Sequence, residues 1–187
     1  MSLVWVTGNS GTGKSTVCEM LRALGHAAFD ADEGFSRWID RGTGKAVTDP
    51  PCPVPEGWLD RYGWAITRER VEALVEDSRC RVTFLCGSAE NEADVRDLFD
   101  LTVCLVIDED TLRHRLATRT TNTFGRHPEE LAAALKWNPR MRAVYERRGA
   151  TIIDTSKPVA EVVEHVIGAA QHLGQREGIW PPTVTQC

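Results

Sequence analysis

A glycine-rich stretch near the N-terminus carries the strongest chemical signal in the sequence. Residues 8–16 are GNSGTGKST, and residues 8–15 match the pattern G-x-x-x-x-G-K-[ST]. Glycines let the backbone curl so that successive N–H groups converge on an anion, and a following helix presents its positive dipole end. The lysine can reach the β- and γ-phosphates of a nucleoside triphosphate, and the serine can ligate Mg²⁺. The cofactors predicted are ATP and Mg²⁺, bound by Gly8, Asn9, Ser10, Gly11, Thr12, Gly13, Lys14, Ser15 and Thr16.

Two neighbouring carboxylates could bind a metal ion or accept a proton. Asp30 and Asp32 close the run AAFDAD. Side chains two apart on a strand share a side, and the carboxyl ends of parallel strands form the ligand-binding edge of an α/β sheet. We expect Asp30 to hold Mg²⁺, and Asp32 to orient an acceptor hydroxyl and take its proton. The spacing fits a capping or solvated-turn role about equally well, and the division of labour between the two acids stays open.

A framework of strands and helices must position these groups. Apolar runs predict five strands, namely LVWVT, HAAFDAD, RVTFLC, LTVCLVID and GATIIDTS, and helical patterns lie between them. Strands that alternate with helices indicate βαβ units and a mainly parallel sheet. The glycine-rich stretch falls between the first strand and the first helix, which is the context its motif requires. A plain glycine turn is the weaker alternative.

Three segments depart from this alternation. Residues 42–64 are rich in Pro and Gly and show no periodic pattern, which predicts a long functional or mobile loop. Residues 120–128 form a shorter polar loop between two helices, and residues 174–187 are predicted to be an irregular tail. Pro139 is expected to kink or break its helix. The length of 187 residues fits a single domain over residues 1–187.

Composition limits the classes of function. A net charge of −5 and a pI near 5.6 give no general basic field for nucleic acid, and no apolar run approaches the length of a membrane helix. The six cysteines contain no CxxC pair, so we expect reduced thiols in a cytoplasmic protein, with almost no support for zinc. Nothing in the sequence separates a monomer from a homodimer.

A P-loop followed by FDAD resembles the shikimate kinase and gluconate kinase branch of small-molecule kinases, whose relatives include adenylate kinase. The resemblance implies the P-loop NTPase fold: three α/β/α layers around a mainly parallel five-stranded sheet of order 2-3-1-4-5. It also implies an inserted substrate lobe at residues 33–80, a lid at residues 119–128, and transfer of the γ-phosphate of ATP to a small molecule. The family's Gly-rich turn after the third strand corresponds here to FLCGSAEN, which supplies only Gly87 and Ser88.

Arginines before the lid extend the resemblance. RHRLATR is similar to the R-x-x-x-R of adenylate kinase-like proteins, and Arg115 and Arg119 share one helix face. By resemblance these two residues clamp the phosphates and, with Lys14, stabilise transition-state charge. Arg126 in the lid would join them on closure. Arg142, or alternatively Arg140, is implied to point from the next helix towards phosphate or substrate.

The loop after the last strand is implied to lie along the adenine ring. Its candidates are Ser156, Lys157 and Pro158, together with Thr155. Ser156 and Pro158 would equally suit an ordinary helix start, and both roles can hold together.

The acceptor is expected between Asp32 and the insertion. Trp38, Trp58 and Trp64, with Gly87 and Arg142, are the predicted substrate-binding residues, since flat rings suit a base or a sugar. The alternative is that these tryptophans build a small satellite core. Candidate acceptors are a nucleoside, a nucleotide, a sugar acid or a hydroxyl-bearing antibiotic. The alternative function is a nucleotide-binding ATPase or switch without an acceptor, although no DxxG-like switch, no NKxD and no acid at the end of RVTFLC supports it.

Overall fold

The computed structural model of the chain describes residues 2–52, 54–77, 81–120, 122 and 124–177. In chain order its strands are β1 (Ser2–Gly8), β2 (Ala27–Asp30), β3 (Ser36–Asp40), β4 (Tyr62–Ile66), β5 (Val82–Cys86), β6 (Leu101–Val106) and β7 (Thr151–Asp154). Its helices are α1 (Lys14–Ala23), α2 (Trp58–Arg61), α3 (Arg68–Asp77), α4 (Glu92–Val95), α5 (Glu109–Thr118), α6 (Pro128–Arg147) and α7 (Val159–Glu177), with a 3-10 turn at Arg96–Leu98.

Five strands form one parallel sheet in the order β2-β5-β1-β6-β7. Counted along the chain, this is the order 2-3-1-4-5, so the predicted sheet is confirmed. All seven residues of β1 are buried, as expected for a central strand of a parallel sheet that is covered on both faces.

Alternate residues of β1 serve two different cores. Val4 and Val6 pack with α1 and α7 on one face, whereas Leu3 and Trp5 pack with α3 on the other. Because successive side chains on a strand point to opposite faces, this division produces the three predicted layers. The sheet therefore presents one carboxyl edge, at which β1 and β2 deliver the P-loop and the acidic pair.

The insertion contains a hairpin that the sequence analysis did not predict. Strands β3 and β4 are antiparallel, with Trp38 directly opposite Trp64 and their ring centroids 5.4 Å apart. Residues 42–64 were expected to lack regular structure, but α2 and the start of β4 lie within them. These strands are short, and beyond each other β3 has one further bridge, from Ile39 to Ala46. The hairpin depends on cross-strand packing rather than on a long apolar run, so the sequence gives little indication of it.

Two helices differ from expectation: α6 has no break at Pro139, where a kink stays a prediction, and α7 enters the segment predicted to be an irregular tail. Helix α6 continues through Pro139 without a break. Pro139 is exposed, so water can satisfy the carbonyl that loses its partner there. Helix α7 extends to Glu177, so residues 174–177 are helical rather than irregular, and the rest of the predicted tail lies outside the described residues.

Cys18, Cys52, Cys86 and Cys104 are free thiols, as expected, and Cys80 and Cys187 lie outside the described residues. Within the described ranges, no helix is long and apolar enough to cross a membrane.

Candidate active site

The P-loop, residues 8–15, curls between β1 and α1 through glycines in left-handed conformations. Gly11 has φ +87° and Gly13 has φ +95°, and a Cβ on Gly11 would lie only 2.8 Å from a Leu112 methyl carbon. The Thr12 hydroxyl donates to the Asn9 carbonyl at 2.8 Å and holds the turn. Gly13 offers α1 no side-chain cap, so the first N–H groups of the helix are available to an anion.

Lys14 already lies across the loop. Its ammonium donates to the carbonyls of Gly8 at 2.9 Å and Asn9 at 2.8 Å. Removal from water lowers the pKa of Lys14 to about 8, against the opposing attraction of Asp32 and Asp30. The structure thus brings the predicted phosphate-binding lysine and both predicted acids within electrostatic reach of one another.

The two acids are held as a unit. The backbone N–H of Asp32 donates to Asp30 Oδ1 at 3.0 Å, and the Trp64 indole N–H donates to Asp32 Oδ1 at 3.1 Å. Loss of surrounding water, and then the charge of Asp30, raise the pKa of Asp32, although the side chain remains accessible in the open cleft. Such a carboxylate is suited to accept a proton.

The oxygen donors near the P-loop suit Mg²⁺. Ser15 lies exposed in the first turn of α1, and Asp30 ends β2. No group of three or more His, Cys, Asp or Glu side chains capable of holding a metal occurs in the described part of the chain. Mg²⁺ commonly keeps several waters and binds through substrate phosphates, so one hydroxyl and one carboxylate are a sufficient protein contribution.

Both arginines of the R-x-x-x-R reach the P-loop region. Arg115 donates to the Thr155 carbonyl at 2.7 Å, and its guanidinium lies 3.7 Å from where a Cβ of Gly13 would be. Arg119 donates to the Ser10 hydroxyl at 3.0 Å and to the Phe124 carbonyl. Arg119 Nε is buried without a hydrogen-bond partner among the described residues, and burial lowers the Arg119 pKa. These donors are placed to bind oxygens of a phosphate chain.

Of residues 156–158, which are predicted to lie along the adenine ring, only one lines the cleft. Lys157 lines the same cleft as the P-loop, whereas Ser156 and Pro158 are outside its lining. The Ser156 N–H donates to Asp154 Oδ1 at 2.8 Å, and the Pro158 carbonyl accepts from the Val162 N–H at the start of α7. Pro158 therefore fits the helix-start alternative, whereas a cap by the Ser156 side chain stays a prediction. Arg126 donates to the Arg119 carbonyl and braces the segment after α5.

The tryptophans of the insertion have two roles, since two of them line the cleft and the third packs in a small satellite core. Trp38 and Trp64 line the cleft, as does Gly87, where a Cβ would come within 2.1 Å of Ala31 Cβ. Trp58 is outside the cleft lining and packs behind it, with its ring centroid 4.0 Å from that of Tyr62.

Arg142 is not brought to the cleft. It lies on the exposed face of α6 and pairs with Glu146 at 3.6 Å, while Met141, Val144 and Tyr145 face the cleft. The helix passes through Pro139 unbroken, so its register carries Arg142 away from the site. The structure gives no support for the predicted substrate contact.

The sequence indicates Arg41 of the insertion as an arginine suited to a phosphate or carboxylate on the acceptor. It does not reveal the glutamate partner of Arg41, or a second charged pair in the same cleft. Arg41 pairs with Glu90, and Arg148 pairs with Glu92, although each pair is separated by about 50 residues in sequence. Glu92 begins α4 and Arg148 follows α6, positions at which such charges commonly stabilise a helix dipole. No local sequence signal distinguishes them from ordinary capping residues.

Together these residues enclose a cleft of about 1470 Å³. The P-loop, Arg115 and Arg119 line its nucleotide side. Asp32, Trp64 and Gly87 line its other side. The volume exceeds that of one ligand pocket of ordinary size, so two small molecules can be accommodated side by side.

Comparisons with known proteins agree with this geometry at the level of the fold. No family model matches the chain. A gluconokinase from Sinorhizobium meliloti 1021 is 20% identical with a TM-score of 0.53, covering 96% of this chain and 97% of its own. A shikimate kinase from Acinetobacter baumannii, solved with shikimate, is 20% identical with a TM-score of 0.57, covering 90% and 92%. The chain therefore has the P-loop fold seen in these small-molecule kinases.

One curated protein matches in sequence. The dephospho-CoA kinase of Paramagnetospirillum magneticum is 36% identical over 86 residues. This match spans 40% of the present chain and 40% of the length of the relative. The match agrees with a P-loop kinase, but it covers less than half of either protein.

Proposed function

We propose that the protein is an ATP-dependent phosphotransferase, which moves the γ-phosphate of ATP to a hydroxyl or phosphate group of a small molecule. The observation that carries this proposal is the placement of Asp32 within electrostatic reach of Lys14 in one cleft. A group that binds the donor phosphate and a carboxylate that can receive a proton are the two requirements of such a transfer.

The side chains then have distinct tasks. The P-loop amides and Lys14 bind the β- and γ-phosphates, and Arg115 and Arg119 neutralise charge on the transferring group. Asp32 orients the acceptor and takes its proton as the new bond forms. When bound, Mg²⁺ would lie against Ser15 and Asp30 and supply additional charge to the phosphates.

The segments divide accordingly. Residues 33–80 are assigned to the acceptor lobe, because Trp64 donates to Asp32. Residues 119–128 are assigned to the lid, because Arg119 contacts both Ser10 of the P-loop and the Phe124 carbonyl. Lid closure excludes water and so favours transfer over hydrolysis. Free thiols and the use of ATP fit a cytoplasmic protein acting as a monomer or a homodimer.

The similar proteins support the same class of reaction. A gluconokinase, a shikimate kinase and a dephospho-CoA kinase are all named for phosphotransfer to small molecules. The three proteins are named for different acceptors, so the acceptor of the present chain must be inferred from its own residues.

The test is ADP release from MgATP, measured with and without a panel of hydroxyl compounds. We expect one chemical class of acceptor to raise the rate strongly over the slow background. An ADP release rate that no compound changes would instead favour the switch or ATPase function.

A further inference from the structure

Arg41, a guanidinium on the acceptor side of the cleft, has a protein partner at each of its three nitrogens. Its Nε donates to Glu90 Oε2 and its second terminal nitrogen donates to Glu90 Oε1, both at 2.8 Å. Its remaining nitrogen donates to the Leu59 carbonyl. A two-point pair of this kind neutralises the charge of Arg41 and leaves one N–H on each terminal nitrogen, so its attraction for a carboxylate or phosphate on a ligand is weakened.

This ion pair adjoins the proposed catalytic acid. The Glu90 N–H donates to the Trp64 carbonyl at 2.8 Å, and the Trp64 ring donates to Asp32. Gly63 makes room for the pair, because a Cβ there would lie 2.5 Å from Glu90 Oε2. The charge of Arg41 is therefore cancelled beside the place where an acceptor must bind.

A second guanidinium in the cleft is neutralised in the same way. Arg148 pairs with Glu92 Oε2. Glu92 is only 8% exposed, and its other oxygen, Oε1, is buried without a hydrogen-bond partner in the described part of the chain. Glu92 lines the cleft, so its carboxylate contributes negative charge to this part of the wall.

The charge balance on this side is negative. The carboxylates of Asp32, Asp60, Glu90 and Glu92 outnumber the two guanidinium groups of Arg41 and Arg148. Lys136 of α6 also lines the cleft, but Glu129 and Glu130 of the same helix line it too. The cations that remain for anion binding, Lys14, Arg115, Arg119 and Lys157, belong to the nucleotide side.

We propose that the acceptor is an uncharged or cationic hydroxyl compound with a ring, and that Glu90 and Glu92 select against organic acids and phosphate esters. This inference rests on the proposed phosphotransfer. Trp38 and Trp64 supply faces for the ring, and the negative charge of Glu90 and Glu92 favours a hydroxyl or ammonium donor over an anion. An anionic acceptor would lie beside a glutamate, whether it used the remaining N–H groups of Arg41 or displaced the pair, and like charges repel. Of the acceptor classes expected from sequence, the nucleotide and the sugar acid are thereby disfavoured.

Matched pairs of probes test this selection. The pairs are thymidine with thymidine 5′-monophosphate, shikimate methyl ester with shikimate, and glucosamine with gluconate. Binding is followed by calorimetry with a non-hydrolysable ATP analogue and Mg²⁺ present, and turnover by ADP release. We expect the uncharged or cationic member to bind at least about tenfold more tightly in the pairs that bind.

The two readouts separate the two proposals. Tighter binding of the anionic members, or no binding of any uncharged or cationic member, overturns the charge selection whether or not ADP is released. Binding of the preferred members without any rise in ADP release overturns the phosphotransfer while the selection stands.

Glu90→Gln gives the decisive variant. It frees the charge of Arg41 and should raise affinity for the anionic probes about tenfold. Glu109→Gln is the control, because Glu109 pairs with Arg113 on α5 and is 51% exposed, against 48% for Glu90. Unaltered ATP affinity and melting temperature confirm that the variants fold. A Glu90→Gln protein with the parental charge preference would contradict the assignment.

Discussion

Arg119 and Ser10 are far apart in the sequence, yet the Arg119 guanidinium donates a hydrogen bond to the Ser10 hydroxyl at 3.0 Å. The same guanidinium contacts the Phe124 carbonyl, so one side chain joins the proposed lid to the P-loop. Because Arg119 Nε is buried without a partner among the described residues, a phosphate oxygen at this point would complete its hydrogen bonding.

Arg119→Lys should therefore lower turnover about 100-fold with a much smaller change in ATP affinity, because lysine keeps the charge but not the planar set of donors. Steady-state kinetics and nucleotide titration measure the two effects. Arg113→Lys is the matched control, since Arg113 lies on the same helix and pairs with Glu109 in solvent. Parental turnover in the Arg119 variant would exclude a transition-state role.

Asp32→Asn should retain ATP affinity and lose turnover by at least about 100-fold, because the amide cannot accept the acceptor proton. Acceptor-dependent ADP release measures the loss, and calorimetry measures nucleotide binding. Asp110→Asn, an exposed substitution in the first turn of α5, should leave both unchanged. If the Asp32 variant turns over normally, the base must be another group.

Trp64→Phe removes the indole donor and keeps a ring. The indole hydrogen bond lowers the pKa of Asp32, in opposition to the loss of water and the charge of Asp30 that raise it. Without the donor the pKa rises further, so the active carboxylate form appears only at higher pH. The acidic limb of the kcat/KM profile should move upward by up to about one pH unit. A limb that stays in place, or moves downward, would separate Trp64 from the base.

Lys14 predicts proton uptake on nucleotide binding. Its pKa of about 8 leaves part of the free protein with a neutral amine, and a bound triphosphate favours the charged form. Calorimetry in buffers of different ionisation enthalpy should show uptake of about a quarter of a proton at pH 7.5, rising to about nine tenths at pH 9. Lys14→Met removes this titrating group, so the pH-dependent part of the uptake should vanish with it.

Gly87→Ala tests how tightly β5 approaches the acidic turn. The added methyl would meet Ala31 Cβ at 2.1 Å, so we expect a loss of about 1–3 kcal/mol of stability and weaker acceptor binding. Gly168→Ala is the counterpart on α7, where nothing lies within 4 Å and helix propensity predicts a gain of about 0.5–1 kcal/mol. Denaturant unfolding measures the free energy of unfolding of both variants. An unchanged value for Gly87→Ala would show that the turn at Ala31 can shift to make room for the methyl group.

The sheet and the nucleotide side were predictable because their signals are local. The P-loop pattern, the buried runs and the position of Asp30 and Asp32 each depend on residues close together in the chain. Helical spacing predicted Arg115 and Arg119 on one helix face, but α5 ends at Thr118 and the backbone of Arg119 is extended. Both side chains nevertheless reach the P-loop region. Such features follow from local backbone requirements and strand burial, so they can be recognised without knowing the distant contacts.

The acceptor side could not be predicted, because its contacts join distant segments. The pairing of Trp38 with Trp64, of Arg41 with Glu90 and of Arg148 with Glu92 depends on how the insertion packs. The expectation for Arg142 failed on helix register, since Pro139 lies on an exposed face that tolerates it.

Lys14 donates to the carbonyls of Gly8 and Asn9 and so ties the first turn of the P-loop from within. The converging amides of the loop repel one another, and this internal contact offsets part of that repulsion. On nucleotide binding, Lys14 exchanges these carbonyls for phosphate oxygens, and no segment has to fold. Binding and release of the nucleotide can then proceed while β1 and α1 keep their conformations.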